Sequence, residues 1–84
     1  MKFKDFEIRP VKSIDGVIDP KRFELVKWYE HGHCFVVAFV KYNNKDGFWD
    51  FKSVGLRLVE NWEDGLDQFI VKWCEMAAVC MEDE

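Results

Sequence analysis

The chain has 84 residues, of which 49% are hydrophobic and 17% aromatic, so it is too apolar to be disordered and long enough for one domain with a barely sufficient core. Its net charge of −4 repels phosphate, and no stretch reaches the ~18 consecutive apolar residues of a membrane span. Direct nucleic-acid binding and membrane insertion are therefore not expected. The charge is divided along the chain: residues 1–57 carry eleven Lys or Arg against eight Asp or Glu, whereas residues 58–84 carry only Lys72 against eight acids.

Residues 1–20 read as an edge strand or extended arm followed by a loop. Phe3, Phe6, Ile8 and Val11 alternate with charges up to Pro10, which cannot donate a ladder hydrogen bond. Asp15-Gly16 and Asp19-Pro20 are turn signals. No apolar signal core follows Met1, so the expected compartment is the cytoplasm.

A β-meander is expected over residues 23–59. Phe23–Glu30 alternates, His31-Gly32 supplies a two-residue turn, and Cys34–Tyr42 returns as a second strand. The run Cys34-Phe35-Val36-Val37-Ala38-Phe39-Val40 is apolar without a break and demands cover on both faces. Asn44-Lys45-Asp46-Gly47 reads as a type I turn closed by a left-handed glycine, pairing Asn44 with Phe48. Phe48–Val59 is the third strand, with a bulge expected near Ser53-Val54-Gly55.

Residues 61–81 read as a helix. Asn61 suits an N-cap, with Glu63, Asp64 and Asp67 near the positive end of the helix dipole. Leu66, Phe69, Ile70, Trp73, Ala77 and Cys80 form an apolar stripe, and Asp64, Gln68, Lys72 and Glu75 fall outside it. Glu82-Asp83-Glu84 opposes the dipole and is expected to fray. The whole is an α+β single domain, residues 1–84: an antiparallel sheet of three or four strands with one C-terminal helix on one face.

The two turns sort the strand residues. Leu25 falls opposite Ala38, Val26 opposite Val37 and Ala38 opposite Val54. One face then holds Phe23, Leu25, Cys34, Val36, Ala38, Val40, Val54, Leu56 and Leu58, a bed for the helix. The other holds Val26, Trp28, Phe35, Val37, Phe39, Trp49 and Phe51 and has no second helix to cover it. Either residues 1–18 fold back over it with Phe3, Phe6, Ile8, Val17 and Ile18, or it meets another chain. The expected partner-binding residues are therefore Trp28, Phe35, Phe39, Trp49 and Phe51, with Trp49 as the hot spot. Asp64, Asp67 and Glu75 on the acidic helix could steer a basic partner, such as a nucleic-acid-binding protein whose ligand they mimic.

Catalytic and metal motifs are sparse. Zinc needs three or four converging N or S ligands, and His31 and His33 are the only histidines. A small metal- or thiol-dependent enzyme built on His31, His33 and Cys34 is one alternative, but a thiolate is disfavoured in so apolar a strand. Cys34, Cys74 and Cys80 read as buried reduced thiols acting as small hydrophobes rather than as a disulfide framework. No cofactor, metal or catalytic residue is expected.

The run Phe51-Lys52-Ser53-Val54-Gly55-Leu56-Arg57, followed by Gly65-Leu66, Phe69-Ile70 and Trp73-Cys74-Glu75, resembles small uncharacterised proteins encoded by bacteriophages and prophages. That resemblance spans residues 23–76. It implies an accessory protein that binds, and in the anti-defence group inhibits, a host or viral protein. It carries over no functional residue. A homodimeric structural protein with no other partner is the second alternative.

Overall fold

The computed structural model describes the backbone of residues 2–3 and 5–82 and the side chains of residues 5–81. Five strands, Lys2–Phe3 (β1), Phe6–Lys12 (β2), Ile18–Trp28 (β3), Cys34–Asn43 (β4) and Phe48–Ser53 (β5), form one antiparallel sheet in the order β1-β2-β3-β4-β5. One helix, Leu66–Glu82 (α1), packs across one face. The expected meander and C-terminal helix are present, with the two-residue β1 as a short addition. Asp83 and Glu84, where fraying was expected, lie outside the described residues, as does the side chain of Phe3.

The N-terminal segment does not fold back over the sheet. Instead β2 pairs edge-on with β3, Ile8 opposite Leu25 and Phe6 opposite Lys27, which places the buried Phe6 and Ile8 on the helix side. Val17 and Ile18, the other residues assigned to that cover, are exposed.

Two local devices decide which residues face the helix. At the β3–β4 pairing, Leu25 lies opposite Ala38 as expected, but Val26 lies opposite Val36, so Val37 is an extra residue on β4. A β-bulge of this kind leaves the extra residue unpaired and bends the strand. Here Val37 and Ala38 are both fully buried in the core, and the Val37 carbonyl accepts from the amides of Val54 (2.9 Å) and Gly55 (3.0 Å). The bulge reverses the alternation below it. Cys34 and Val36 turn away from the helix, and Phe35 turns toward the helix side.

The second device is the β4–β5 turn. Asn43 Oδ1 accepts from the backbone amides of Lys45 (2.9 Å) and Asp46 (3.3 Å), and Gly47, at φ +73°, donates its amide to the Asn43 carbonyl. An asparagine bonding the backbone two residues on starts a turn by itself. It therefore closes the loop one residue earlier than expected, pairing Asn43 with Phe48 and Ala38 with Ser53. A one-residue slip flips a strand. Trp49 and Phe51 accordingly lie on the helix side, Trp49 against Phe23 (6.0 Å) and Tyr42 (5.6 Å).

The segment between sheet and helix departs from the expected strand and cap. β5 ends at Ser53, and Leu56–Leu58 is a single 3-10 turn. Asn61 sits in the left-handed region, φ 60°, so it is a turn residue rather than an N-cap, and α1 begins only at Leu66, after Gly65 at φ 87°. Trp62 fills this crossover, edge-on to Phe6 at 5.7 Å and tilted on Phe51 at 6.0 Å.

The helix buries Ile70, Cys74 and Ala78, flanked by Leu66, Val71, Trp73, Ala77 and Met81. The expected stripe is therefore rotated toward Cys74, and Phe69 and Cys80 are exposed. The cause is the bed beneath, where Phe23, Leu25, Val37, Ala38 and Val40 are buried and take the narrow Ile70–Cys74–Ala78 ridge.

Candidate interaction surface

The sheet face away from α1 is built from the residues that alternate with the core. On β2 and β3 these are Glu7, Arg9, Arg22, Glu24, Val26 and Trp28. On β4 and β5 they are Cys34, Val36, Phe39, Lys41, Asp50 and Lys52. Val26 is buried even here, and no described element lies over this face.

One end of the face is a bonded cluster. Arg9 Nε meets Glu7 Oε1 at 2.8 Å, Trp28 Nε1 donates to the same oxygen at 3.3 Å, and the Arg9 guanidinium lies 5.3 Å from the Trp28 ring centroid. A terminal nitrogen of Arg9 also reaches Cys34 Sγ at 4.0 Å. The Arg9 hydrogen bond, opposed by partial desolvation, holds the Glu7 carboxyl below its ordinary value, and Glu7 in turn raises Arg9. Trp28 is thus fixed by two polar partners on one side.

The other end is open and basic. Phe39, 41% exposed, lies opposite Lys52 on β5 and Glu24 on β3, and in the next row Arg22, Lys41 and Asp50 face one another across three strands. Like charges directly opposite are mildly unfavourable. Among the described residues, the Arg22, Lys41 and Lys52 side chains make no hydrogen bond or ion pair. A groove of about 380 Å³ runs along these side chains, bordered by Val11 and Asp50.

The expected partner-binding residues are therefore divided among three places. Trp28 and Phe39 belong to the open face. Trp49 and Phe51 are half-buried at the margin of the core, so Trp49 supports folding rather than standing free as a hot spot. Phe35, 52% exposed, is on the helix side beyond the helix and stacks edge-on with Tyr29 at 5.6 Å. Asp64 lies in the turn before α1 rather than on the expected helix and is exposed, as is Glu75 on α1, whereas Asp67 is half-buried beside Gln68 and Val71 in the groove between α1 and β5.

The chain alone does not display the basic residues around Phe39, because no two of Arg22, Lys41 and Lys52 are close in sequence. Only the strand register brings them together. Their alternation with core residues, Arg22 before Phe23 and Lys41 after Val40, was the available signal.

The His31–Cys34 segment is not assembled into one site. His31, at φ 66°, and His33 are exposed in the β3–β4 loop, while Cys34 is half-buried beside Arg9 on the open face. Among the described residues there is no group of three or more His, Cys, Asp or Glu placed to hold a metal ion, and no helix long and apolar enough to cross a membrane. Of the three reduced cysteines only Cys74 is buried, so the reading of all three as buried small hydrophobes applies to that one alone.

No family model, curated protein or solved structure matches the chain.

Proposed function

We propose that this chain is a non-catalytic protein-binding module, an accessory protein of the phage or mobile-element kind, acting by occupying a surface of a host or viral protein. The observation that carries the reading is the half of the open sheet face centred on Phe39. An exposed aromatic ring has Arg22, Lys41 and Lys52 around it, with Glu24 and Asp50 in the same two rows, and none of the three cations forms an ion pair among the described residues. Aromatic anchors with arginine neighbours are over-represented at protein interfaces. Their charge suits an acidic partner surface carrying an apolar side chain to meet Phe39.

A second reading rests on the helix. Glu75 on α1 and Asp64 in the turn that leads into it are exposed, and a basic partner, including a nucleic-acid-binding protein, would meet them with electrostatic steering. Cytoplasmic placement belongs to the same proposal, since a host or viral protein partner is reached there.

The experiment is affinity capture from a bacterial host lysate with wild type, a Phe39→Ala/Lys41→Glu variant and an Asp64→Lys/Glu75→Lys variant. A discrete protein lost only with the first variant supports the open face, and one lost only with the second transfers the site to the helix. Recovery unaffected by either variant, all three proteins being folded by circular dichroism, would sink the reading.

A further inference from the structure

β5 is the last strand of the sheet, and among the described residues nothing pairs with its outer edge. The direction of its backbone groups follows from the ladder with β4. The Val54 amide bonds the Val37 carbonyl at 2.9 Å, and antiparallel bonding alternates residue by residue, so the groups of Phe48, Asp50 and Lys52 point to β4. Those of Trp49, Phe51 and Ser53 therefore point outward.

A second strand that docks there antiparallel must form its hydrogen-bonded pairs with these three residues. If that strand is β5 of another copy, the pairing centred on the dyad is Phe51 opposite Phe51, flanked by Trp49 opposite Ser53 on both sides. The intervening pair is then Asp50 opposite Lys52, twice, in the non-hydrogen-bonded position where side chains approach most closely. Sliding one strand by two residues in either direction sets Asp50 against Asp50 or Lys52 against Lys52. A single register therefore satisfies the outward amides and matches opposite charges. Among the described residues Lys52 makes no ion pair and Asp50 accepts a single 3.3 Å bond, from Asn43 Nδ2, so both charges are available.

The side chains agree with the backbone. Asp50 and Lys52 lie on the open face, while Phe51 lies on the helix side, half-buried beside a groove toward α1 lined by Val71, Asp67 and Lys72. Docking of a second Phe51 would close that groove from outside.

We propose that the chain forms a two-fold symmetric dimer by antiparallel β5–β5 pairing centred on Phe51, joining two five-stranded sheets into one. This goes beyond the open-face reading, since it uses a strand edge and commits to a copy of this chain as occupant.

Sedimentation equilibrium at about 100 μM is the test, with circular dichroism confirming that each variant is folded. Wild type should sediment at twice the 10.1 kDa of one chain. Asp50→Lys alone and Lys52→Asp alone should each sediment as single chains, because each sets like charges opposite. Mixing these two variants in equal amounts should restore the doubled mass, and so should the double exchange Asp50→Lys/Lys52→Asp. Phe39→Ala should leave the dimer intact even if it abolishes partner capture, which separates this inference from the open-face reading. A wild type that stays a single chain, single variants that associate as well as wild type, or a mixture that fails to associate would each overturn it.

Discussion

The Glu7 carboxylate takes the Arg9 guanidinium, Oε1 to Nε at 2.8 Å, two residues apart on one strand and on the same side of the sheet. The same oxygen accepts the Trp28 indole N–H from the neighbouring strand at 3.3 Å, so one acidic group aligns a cation and an aromatic ring across β2 and β3.

That arrangement predicts a pH response of one particular tryptophan. Glu7 titrates below its ordinary 4.5 because Arg9 favours the charged form. Its contribution is therefore present above the unfolded-state value and is lost as pH falls through the folded-state value. Trp28 fluorescence, isolated as the difference between wild type and Trp28→Phe, should change in that acid range. The change should vanish in Glu7→Gln, whose stability loss should stay within about 1 kcal/mol because the pair is partly solvated.

Ile70 is the ridge residue on which the helix seats, fully buried over the sheet. Ile70→Ala should cost about 2–5 kcal/mol through lost transfer energy and the cavity left behind. That is a large share of the roughly 4–12 kcal/mol expected for a domain of this length. Urea unfolding followed by circular dichroism measures it, and a midpoint close to wild type would mean that α1 is not docked as described.

The three thiols should separate cleanly by reactivity. Cys80 is exposed, Cys34 half-buried and Cys74 buried, so a thiol reagent at neutral pH should label them in that order, with Cys74 labelled only on unfolding. Burial, with a smaller contribution from Glu75, pushes the Cys74 thiol up from 9.0 to about 12. Its neutral form is favoured by the fold, so stability should be unaffected below pH 9 and decline as pH rises from there to about 12. Comparing alkaline denaturation of wild type and Cys74→Ala isolates this component, which should be absent in the variant.

Asn43 sets the length of the β4–β5 loop through its side chain. Asn43→Ala removes the acceptor for Lys45 and Asp46 and the amide donor to Asp46 and Asp50, and should cost about 1 kcal/mol. Cross-strand amide NMR contacts would also reveal whether the one-residue-longer pairing, Asn44 opposite Phe48, becomes populated. A variant with unchanged stability and unchanged pairing would remove Asn43 from this role.

The histidine loop makes a simpler forecast. His31 occupies a left-handed conformation that glycine adopts without steric cost, so His31→Gly/His33→Ala should fold at least as stably as wild type. Loss of stoichiometric zinc together with the fold in this variant would contradict the placement of both histidines as exposed loop residues.

Much of the architecture was legible in the residues, and the misplacements have two identifiable sources. The meander and its helix follow from alternation in β3, the apolar run of β4, the Asp46-Gly47 turn and the spacing of Leu66, Ile70, Trp73 and Ala77. What misled was phase. Val36 and Val37 are chemically equivalent in a run with no polar residue to mark direction, so nothing local placed the bulge at Val37. At the turn, both Asn43 and Asn44 can begin a loop, and the choice between them moved Trp49 and Phe51 from the open face to the helix side. Partner residues inferred on aromatic character therefore scattered, while Phe39, ahead of the bulge, kept its face. The helix start was missed because Asn61 suits both a cap and a left-handed turn, and Gly65 settles the matter only when its conformation is seen.

Pro10 gives the molecule two unequal margins. On β2 the proline offers no N–H, the pairing register shifts between Pro10 and Val11, and β1 already occupies Glu7 and Phe6. That border is blunted against further strands, as sheets that avoid aggregation commonly are. Among the described residues, the margin left open to the proposed strand addition is therefore that of β5. A molecule with one adhesive margin stops at a closed pair, whereas one with two would continue into an open filament.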